Sequence, residues 1–438
     1  MSGGRLWSWG RYPAWPQSTA AIHWRDEASA VFARTAQQHG TTLAFGSGMS
    51  YGDSCLAASD HVLALRPLDR FLQADWHSGV VRAEAGVTLE AVLRAAIPQG
   101  WFLAVTPGTR YATLGGAIAN DVHGKNHHRR GTFGCHVRQF GLLRSDRGRI
   151  VCSPQQESEL FAATTGGLGL TGVIEWVELQ LVRIQSSRIR CTQQRFDTLA
   201  DFFALSDSLD QQHEFCVSWI DCMAQGSALG RGIYMAGDFA DSGPLAVEQR
   251  RHVSVPFTPP LSLVNPLSVR LFNQLYWRRA SPARQTTTVG YDGFFYPLDA
   301  VLHWNRVYGP RGFQQYQALI PESEARAGIA ELLKAVAQSG AGSVPAVLKR
   351  CGDHASPGLL SFPRAGITLA LDFRHSNSLQ PLFDRLDAIV REAGGRLYPA
   401  KDAHMSGADF RRMYPQWQQL DALRDPQLLS RFWQRVTI

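Results

Sequence analysis

Residues 167–172 read Gly-Leu-Gly-Leu-Thr-Gly, and their neighbours exclude the fold those letters suggest. In a dinucleotide-binding βαβ unit the glycine turn follows a strand and opens a helix, so that the pyrophosphate rests on the helix N-terminus. Here the order is reversed: SELFAAT (158–164) has helical spacing upstream, and VIEWVELQLV (173–182) alternates as a strand downstream. A second glycine segment, GSGMSYG (46–52), follows a strand-like TTLAF (41–45) but leads into loop and strand. A third stretch, 107–134, is punctuated by glycine throughout. A Rossmann domain is excluded. Glycine turns still let backbone N–H groups converge on an anion, because no Cβ blocks the approach. Each segment alone also reads as an ordinary loop. Together, between residues 46 and 172, they point to one large phosphate-bearing ligand in an extended groove.

The remaining pattern mixes both element types. Spacing predicts helices at 26–39, at 89–96 behind a Thr88 N-cap, at 324–340 and at 378–395, the last ending on Gly394–Gly395. Strands are predicted at 61–65, 80–86, 312–321 and 367–373, with two more around a turn in 136–153. The character changes near residue 184, and 438 residues suit two or three domains. Block 253–290 stands apart, combining Pro, large apolar side chains and Arg. A net charge of +7 is too small for a dedicated nucleic-acid binder, so no nucleic-acid partner is expected. No run of 18 apolar residues occurs, and MSGGRLWSWGR lacks the apolar core of a secretory signal. Seven cysteines without a Cys-x-x-Cys pair read as reduced thiols in a cytoplasmic protein, not as a zinc ribbon.

Of 44 basic residues only four are lysines: Lys125, Lys334, Lys349 and Lys401. The generic surface cation of this chain is therefore Arg. A Lys that persists can mark a place where a compact, titratable ammonium does what guanidinium cannot; the blander reading is that such lysines stand there by chance. Lys334 sits on a helical pattern and reads as a solvated face; the other three are site candidates.

The glycine segments also carry a resemblance. AFGSGMSYGD, AGVTLEAVLRAAIPQGWFLAVTPGT, TLGGAIANDVHGKNHHRRGTFG and ELFAATTGGLGLTGVI, taken in order, resemble the FAD-binding module of the vanillyl-alcohol oxidase type. NDVHGKNHH, FQQYQALIP, GRLYPAKD and the N-terminal WSWGR resemble, within that superfamily, the decaprenylphosphoryl-β-D-ribose 2′-oxidase family. The resemblance implies a two-domain α+β fold: an FAD domain (1–184 with 396–438) and an inserted substrate domain (185–395) on an antiparallel sheet, with 253–290 flexible. It implies FAD contacts from Gly46, Ser47, Gly48, Met49, Ser50, Tyr51, Gly52, Asp53, Gly108, Thr113, Leu114, Gly115, Gly116, Asn120, Asp121, Val122, His123, Ile174 and Tyr398. Many relatives place a flavin-linking His where this chain has Met49. A thioether is not a nucleophile for that linkage, so FAD is expected to be noncovalent.

The same resemblance implies that Lys401 and His123 are catalytic at the flavin edge. Lys125, Gln315, Gln317, Lys349 and Thr368 would bind substrate; Thr368 and Ala370 stand where the relative has Asn and Cys. Alternation puts Gln315 and Gln317 on one strand face, suited to sugar hydroxyls or, on the blander reading, to solvent. For Lys401 the rival reading is an ion pair with Asp402. A metal in HGKNHH is the rival for Lys125 and the His cluster, but the spacing is not a zinc pattern, and no metal is expected. The implied activity is oxidation of the 2′-hydroxyl of a polyprenylphosphoryl ribose, in sequence with a short-chain reductase partner. The alternative is a soluble alditol or aldonolactone oxidase. Leu267, Leu271 and Leu275 recur at i, i+4, i+8 ahead of Arg278, Arg279 and Arg284. That stripe suits a membrane surface, and hence a cytoplasmic protein peripheral to the plasma membrane, or else it packs into the substrate domain's core.

Overall fold

The computed structural model describes residues 5–248 and 252–438. Strand Val173–Arg183 is the spine of the first sheet. Val177, Leu179 and Leu181 face the core while Glu178 and Gln180 alternate outward. It is flanked by Phe71–Asp75 and Val80–Glu84 on one side and by Val137–Arg144 and Gly148–Cys152 on the other, with Trp101–Leu103 pairing its end. Every pairing is antiparallel. Helix Leu89–Ala96 packs on this sheet because Leu89, Val92, Leu93 and Ala96 share one buried face. Thr88 Oγ1 caps it by accepting from the Ala91 N–H at 3.2 Å.

The chain leaves that sheet at Arg183 and enters a second, eight-stranded one at Arg188. Its order is Gln285–Gly290, Arg188–Phe196, Gly232–Phe239, Phe215–Ile220, Ala346–Cys351, Gly366–Arg374, Phe313–Pro321 and Arg396–Leu397, again antiparallel throughout. One face is covered by helices Leu199–Leu209, Ala325–Ser339 and Gln380–Glu392. Tyr316, Ala318, Ile320, Ile367, Leu369, Leu371 and Phe373 join their apolar stripes. The alternate residues Gln315, Gln317, Ala370 and Asp372 fall on the opposite face, toward the first sheet.

The tail returns from strand Arg396–Leu397 to the N-terminal part. Thr42 N–H donates to the Gln427 carbonyl at 2.9 Å, and the Asp425 carboxylate takes both the N–H and hydroxyl of Ser145 at 2.7 Å. The first of these contacts explains a departure from expectation: of 41–45, only Ala44–Phe45 is ladder strand, because Thr42 is held by the tail. Arg435 makes the tightest tie. Its guanidinium donates to Asp53 at 2.9 and 2.8 Å and to Asp402 at 2.8 Å.

Segment 253–290 is not one free flap. Val253–Ser254 pairs with Val301–Leu302, and Gln285–Gly290 is an edge strand bonded to Arg188–Gln193. Between them, helix Pro266–Arg279 is held by one face only: Val269 and Asn273 are buried, and Asn273 donates to Asp221 at 2.8 Å. Its leucine stripe does not enter the core. Leu267, Leu271 and Leu275 are 77%, 63% and 60% exposed.

Removing the shared cation would leave Asp53 and Asp402 buried and facing one another. Arg435→Met is expected to lower unfolding free energy by about 3 kcal/mol, read from urea melts, whereas Arg424→Met, at a partly exposed pair, should cost well under ~1 kcal/mol.

Candidate active site

A cavity of about 630 Å³ runs between the two sheets, a size typical of cofactor and ligand sites. Its floor is the loop Gly46–Ser50. Among the described residues, none of the five backbone N–H groups of this loop has a hydrogen-bond partner in the protein; the next, Tyr51 N–H, donates to the Ala400 carbonyl at 3.1 Å. Gly48 adopts φ +65°, where a side chain would be strained and would also collide with the Trp7 carbonyl. Consecutive unsatisfied donors in a glycine turn form an anion nest, so the cradle fits the pyrophosphate of FAD. Gly108, Thr113, Gly115, Gly116, Asn120, Val122, Ile174 and Tyr398 line the cavity as well. The N–H groups of Leu114, Gly115 and Gly116 are committed to Val87, Ala85 and Thr113. This stretch therefore supplies close backbone approach, not anion donors.

Four residues expected at the cofactor stand behind it. Gly52 packs against the Asp402 carbonyl, leaving no room for a Cβ. Asp53 holds Arg435. Leu114 is core. Asp121 accepts from Gly134 N–H and from the hydroxyls of Ser356 and Ser361. None of the four lines the cavity.

The opposite wall carries the reactive side chains. Lys401, on the loop after strand Arg396–Leu397, lies with Nζ 3.6 Å from the centroid of the Tyr51 ring and donates no hydrogen bond to any described residue. Asp402 is not its partner; that carboxylate faces Arg435 and lies 3.1 Å from His404 Nδ1. Burial pushes the Lys401 ammonium down, and the charge of Asp372 opposes the shift. Gln315 and Gln317 line the cavity, not the solvent edge, with Ala370 beside them.

His123 also lines it, and its state follows from a residue that does not. Lys349 is 5% exposed, and its Nζ lies 2.7 Å from His123 Nδ1 and 2.6 Å from the Gly124 carbonyl. An ammonium donates and cannot accept. Nδ1 is thereby assigned as the lone-pair nitrogen and Nε2 as the protonated one. The Gln317 amide lies 3.4 Å from Nε2, a donor that calls for the amide oxygen to face the ring. Burial, then the Lys349 charge, hold His123 well below the usual imidazole range. It is an N–H donor and not a base.

The other expected substrate contacts do not reach the cavity. Lys349 works from behind His123. Thr368, one step along the sheet, sits 3.3 Å from the Gln317 amide. Lys125 donates to the Phe294 carbonyl with its Nζ 4.4 Å from the centre of that ring. The only His–Asp–Cys grouping among the described residues, His128, Asp210 and Cys216, is a hydrogen-bonded knot in which Asp210 already accepts from Tyr234 and Ser206. Sequence reasoning missed the lining segment Leu298–Trp304 and also Asp372. Asp372 was within reach: it is two residues from Ala370, hence on the same strand face.

Residues 16–153 match the model of a family described as "FAD binding domain". Decaprenylphosphoryl-beta-D-ribose oxidase of Mycolicibacterium smegmatis is 32% identical, across 96% of this chain and 94% of its own length. An uncharacterized protein of Streptomyces coelicolor is also 32% identical, across 78% and 96%. Mouse L-gulonolactone oxidase is 29% identical across 36% and 35%.

Lys349→Met tests the arrangement around His123. FAD content should be unchanged, while the His123 imidazole, freed of the neighbouring cation, should titrate at higher pH; ¹⁵N-histidine NMR reads both the shift and the tautomer.

Proposed function

The chain belongs to the decaprenylphosphoryl-β-D-ribose oxidase family of FAD-dependent oxidoreductases, and from that premise we propose that it oxidises the 2′-hydroxyl of a polyprenylphosphoryl-β-D-ribose to the ketone, with FAD held noncovalently. One observation carries the reading: a lysine amino group with no hydrogen-bond partner among the described residues faces the same cavity as two glutamine amides and the nest of free N–H groups. Alcohol oxidation breaks the carbinol C–H bond with its electron pair, breaks O–H as a proton, and forms C=O. FAD supplies the hydride acceptor when bound. Lys401 takes the hydroxyl proton; burial weakens its hold on its own proton and brings the free amine within reach near neutral pH. Gln315 and Gln317 hold sugar hydroxyls, and His123 Nε2–H donates toward the same wall. Met49 lines the cavity at the position where a linking His would stand, which supports a dissociable cofactor. The keto sugar is then reduced by a separate short-chain reductase to the arabinose form.

The exposed stripe of helix Pro266–Arg279 supports a lipid-linked substrate over a free alditol. Leu261, Leu263, Leu267, Leu271 and Leu275 are each at least 60% exposed. The segment joins the cavity wall directly, because Val253–Ser254 pairs with Val301–Leu302, which line the site. Apolar side chains followed by Arg278, Arg279 and Arg284 suit the headgroup region of an anionic leaflet. A polyprenyl tail can remain in lipid while the phosphosugar enters the cavity. Among the described residues no helix is long and apolar enough to cross a membrane, and the seven cysteines are unpaired. Both fit a protein working peripherally at the inner face of the plasma membrane.

The purified protein should be yellow and release its flavin on acid precipitation. Under anaerobic conditions polyprenylphosphoryl ribose should bleach the flavin absorbance and free alditols should not. Lys401→Met should keep FAD and slow the bleaching roughly 10²–10⁴-fold; near-normal bleaching would remove Lys401 from the mechanism. Deleting 258–279 should leave a folded, yellow protein that no longer pelts down with phosphatidylglycerol vesicles in sedimentation. Vesicle binding equal to that of the intact chain would refute the lipid-facing role of the segment.

A further inference from the structure

Asp372 is the most deeply buried ionisable side chain lining the cavity, at 1% exposure. Antiparallel register sets it directly opposite Gln315, whose Nε2 donates to Oδ1 at 2.5 Å. Its own backbone N–H donates to Ser343 Oγ at 2.7 Å, which fixes the strand there. Oδ2 is buried with no hydrogen-bond partner among the described residues. Lys401 Nζ, lining the same cavity, likewise has none among them and lies over Tyr51. A buried acid and a half-buried amine, with no ion-pair contact between them among the described residues, thus line one cavity.

A buried carboxylate or a buried ammonium alone is costly enough to become neutral. Two such groups facing one cavity titrate as a pair, in joint steps that belong to neither alone. We propose that Asp372 is a positioning residue for Lys401: its carboxyl group, facing the same cavity, governs how readily Lys401 takes up or gives back a proton there. Burial drives the Asp372 carboxyl up, opposed by the Gln315 hydrogen bond and then by the Lys401 charge, and drives the Lys401 ammonium down, opposed by the Asp372 charge. The groups packed around Asp372 leave it no other counter-charge. Tyr51 and Tyr308 are phenols whose protons are held more tightly by burial and by Asp372 itself, and Gln315 is neutral. By drawing the Gln315 NH₂ to itself, Asp372 also turns the amide oxygen of Gln315 away from its own carboxylate. The inference rests on the reading that Lys401 handles the substrate proton.

The lysine content makes the test direct. With four lysines, [¹⁵N]lysine-labelled holoenzyme gives four Nζ signals, and Lys401→Met identifies one of them. In Asp372→Asn the Lys401 titration should move down by about one pH unit or more, since loss of a nearby opposite charge destabilises the ammonium. Asp372→Glu should restore most of it. The acid limb of flavin reduction should shift to lower pH by the same amount, because the amine form persists further into acid. In the wild type, Lys401 Nζ and the ¹³C-labelled Asp372 carboxyl should follow the same two titration steps. An unmoved Lys401 midpoint in a flavin-retaining Asp372→Asn protein overturns the proposal. So do independent single-step titrations of the two groups in the wild type, a readout that survives even if the variant does not fold. Absence of bleaching by the lipid sugar in the wild type would instead fail the substrate reading and leave the titration result standing.

Discussion

The guanidinium of Arg435, shared between Asp53 and Asp402, is the contact on which the site depends. Asp53 ends the cradle loop and Asp402 follows Lys401. One cation therefore locks the cofactor floor to the loop that carries the reactive amine. Gly52 completes the joint: its bare Cα lets the Asp402 carbonyl lie against the cradle. Two carboxylates brought this close out of water repel unless a cation lies between them. The cavity between the sheets is a consequence of that closure, since its floor and its reactive wall come from opposite ends of the chain.

The second organising constraint is the pleat of the large sheet. Period-two alternation sends Tyr316, Leu369 and Leu371 to the helices and Gln315, Gln317, Ala370 and Asp372 to the cavity. Register then decides which of the cavity-facing residues act together. Gln315 stands opposite Asp372, Gln317 opposite Ala370, and Lys349 opposite Thr368. One step along the sheet separates a residue that touches the cavity from one that acts on it through a neighbour, as Lys349 does through His123.

Helix Pro266–Arg279 shows how an apolar segment can be neither core nor loose. Asn265 caps it by accepting from the Leu267 and Ser268 N–H groups, both at 3.1 Å. Asn273 bonds Asp221 and Trp277 Nε1 donates to the Phe196 carbonyl at 3.2 Å. Arg195 and Arg231 stack on the Trp277 ring. Polar contacts on one face hold it to the sheet edge, so the leucines on the other face are left to whatever lies outside.

Much of this was legible in the sequence. The reversed order around Gly167–Gly172 excluded a Rossmann unit, the Thr88-capped helix and alternating strands appear where spacing put them, and the rarity of lysine narrowed the candidates to Lys125, Lys349 and Lys401, of which Lys401 lines the cavity. Those readings rest on local rules, period and glycine chemistry, which the chain carries in adjacent residues. The roles of Lys349, Asp372 and Asp402 were not legible, because each is set by a partner far away in sequence: His123 for Lys349, Gln315 and Lys401 for Asp372, Arg435 for Asp402. Local pattern states which face a side chain takes. Only the closed tertiary structure decides what stands opposite it and how deeply the pair is buried, and burial is the largest influence on the charge state of Lys349, Asp372 and Asp402.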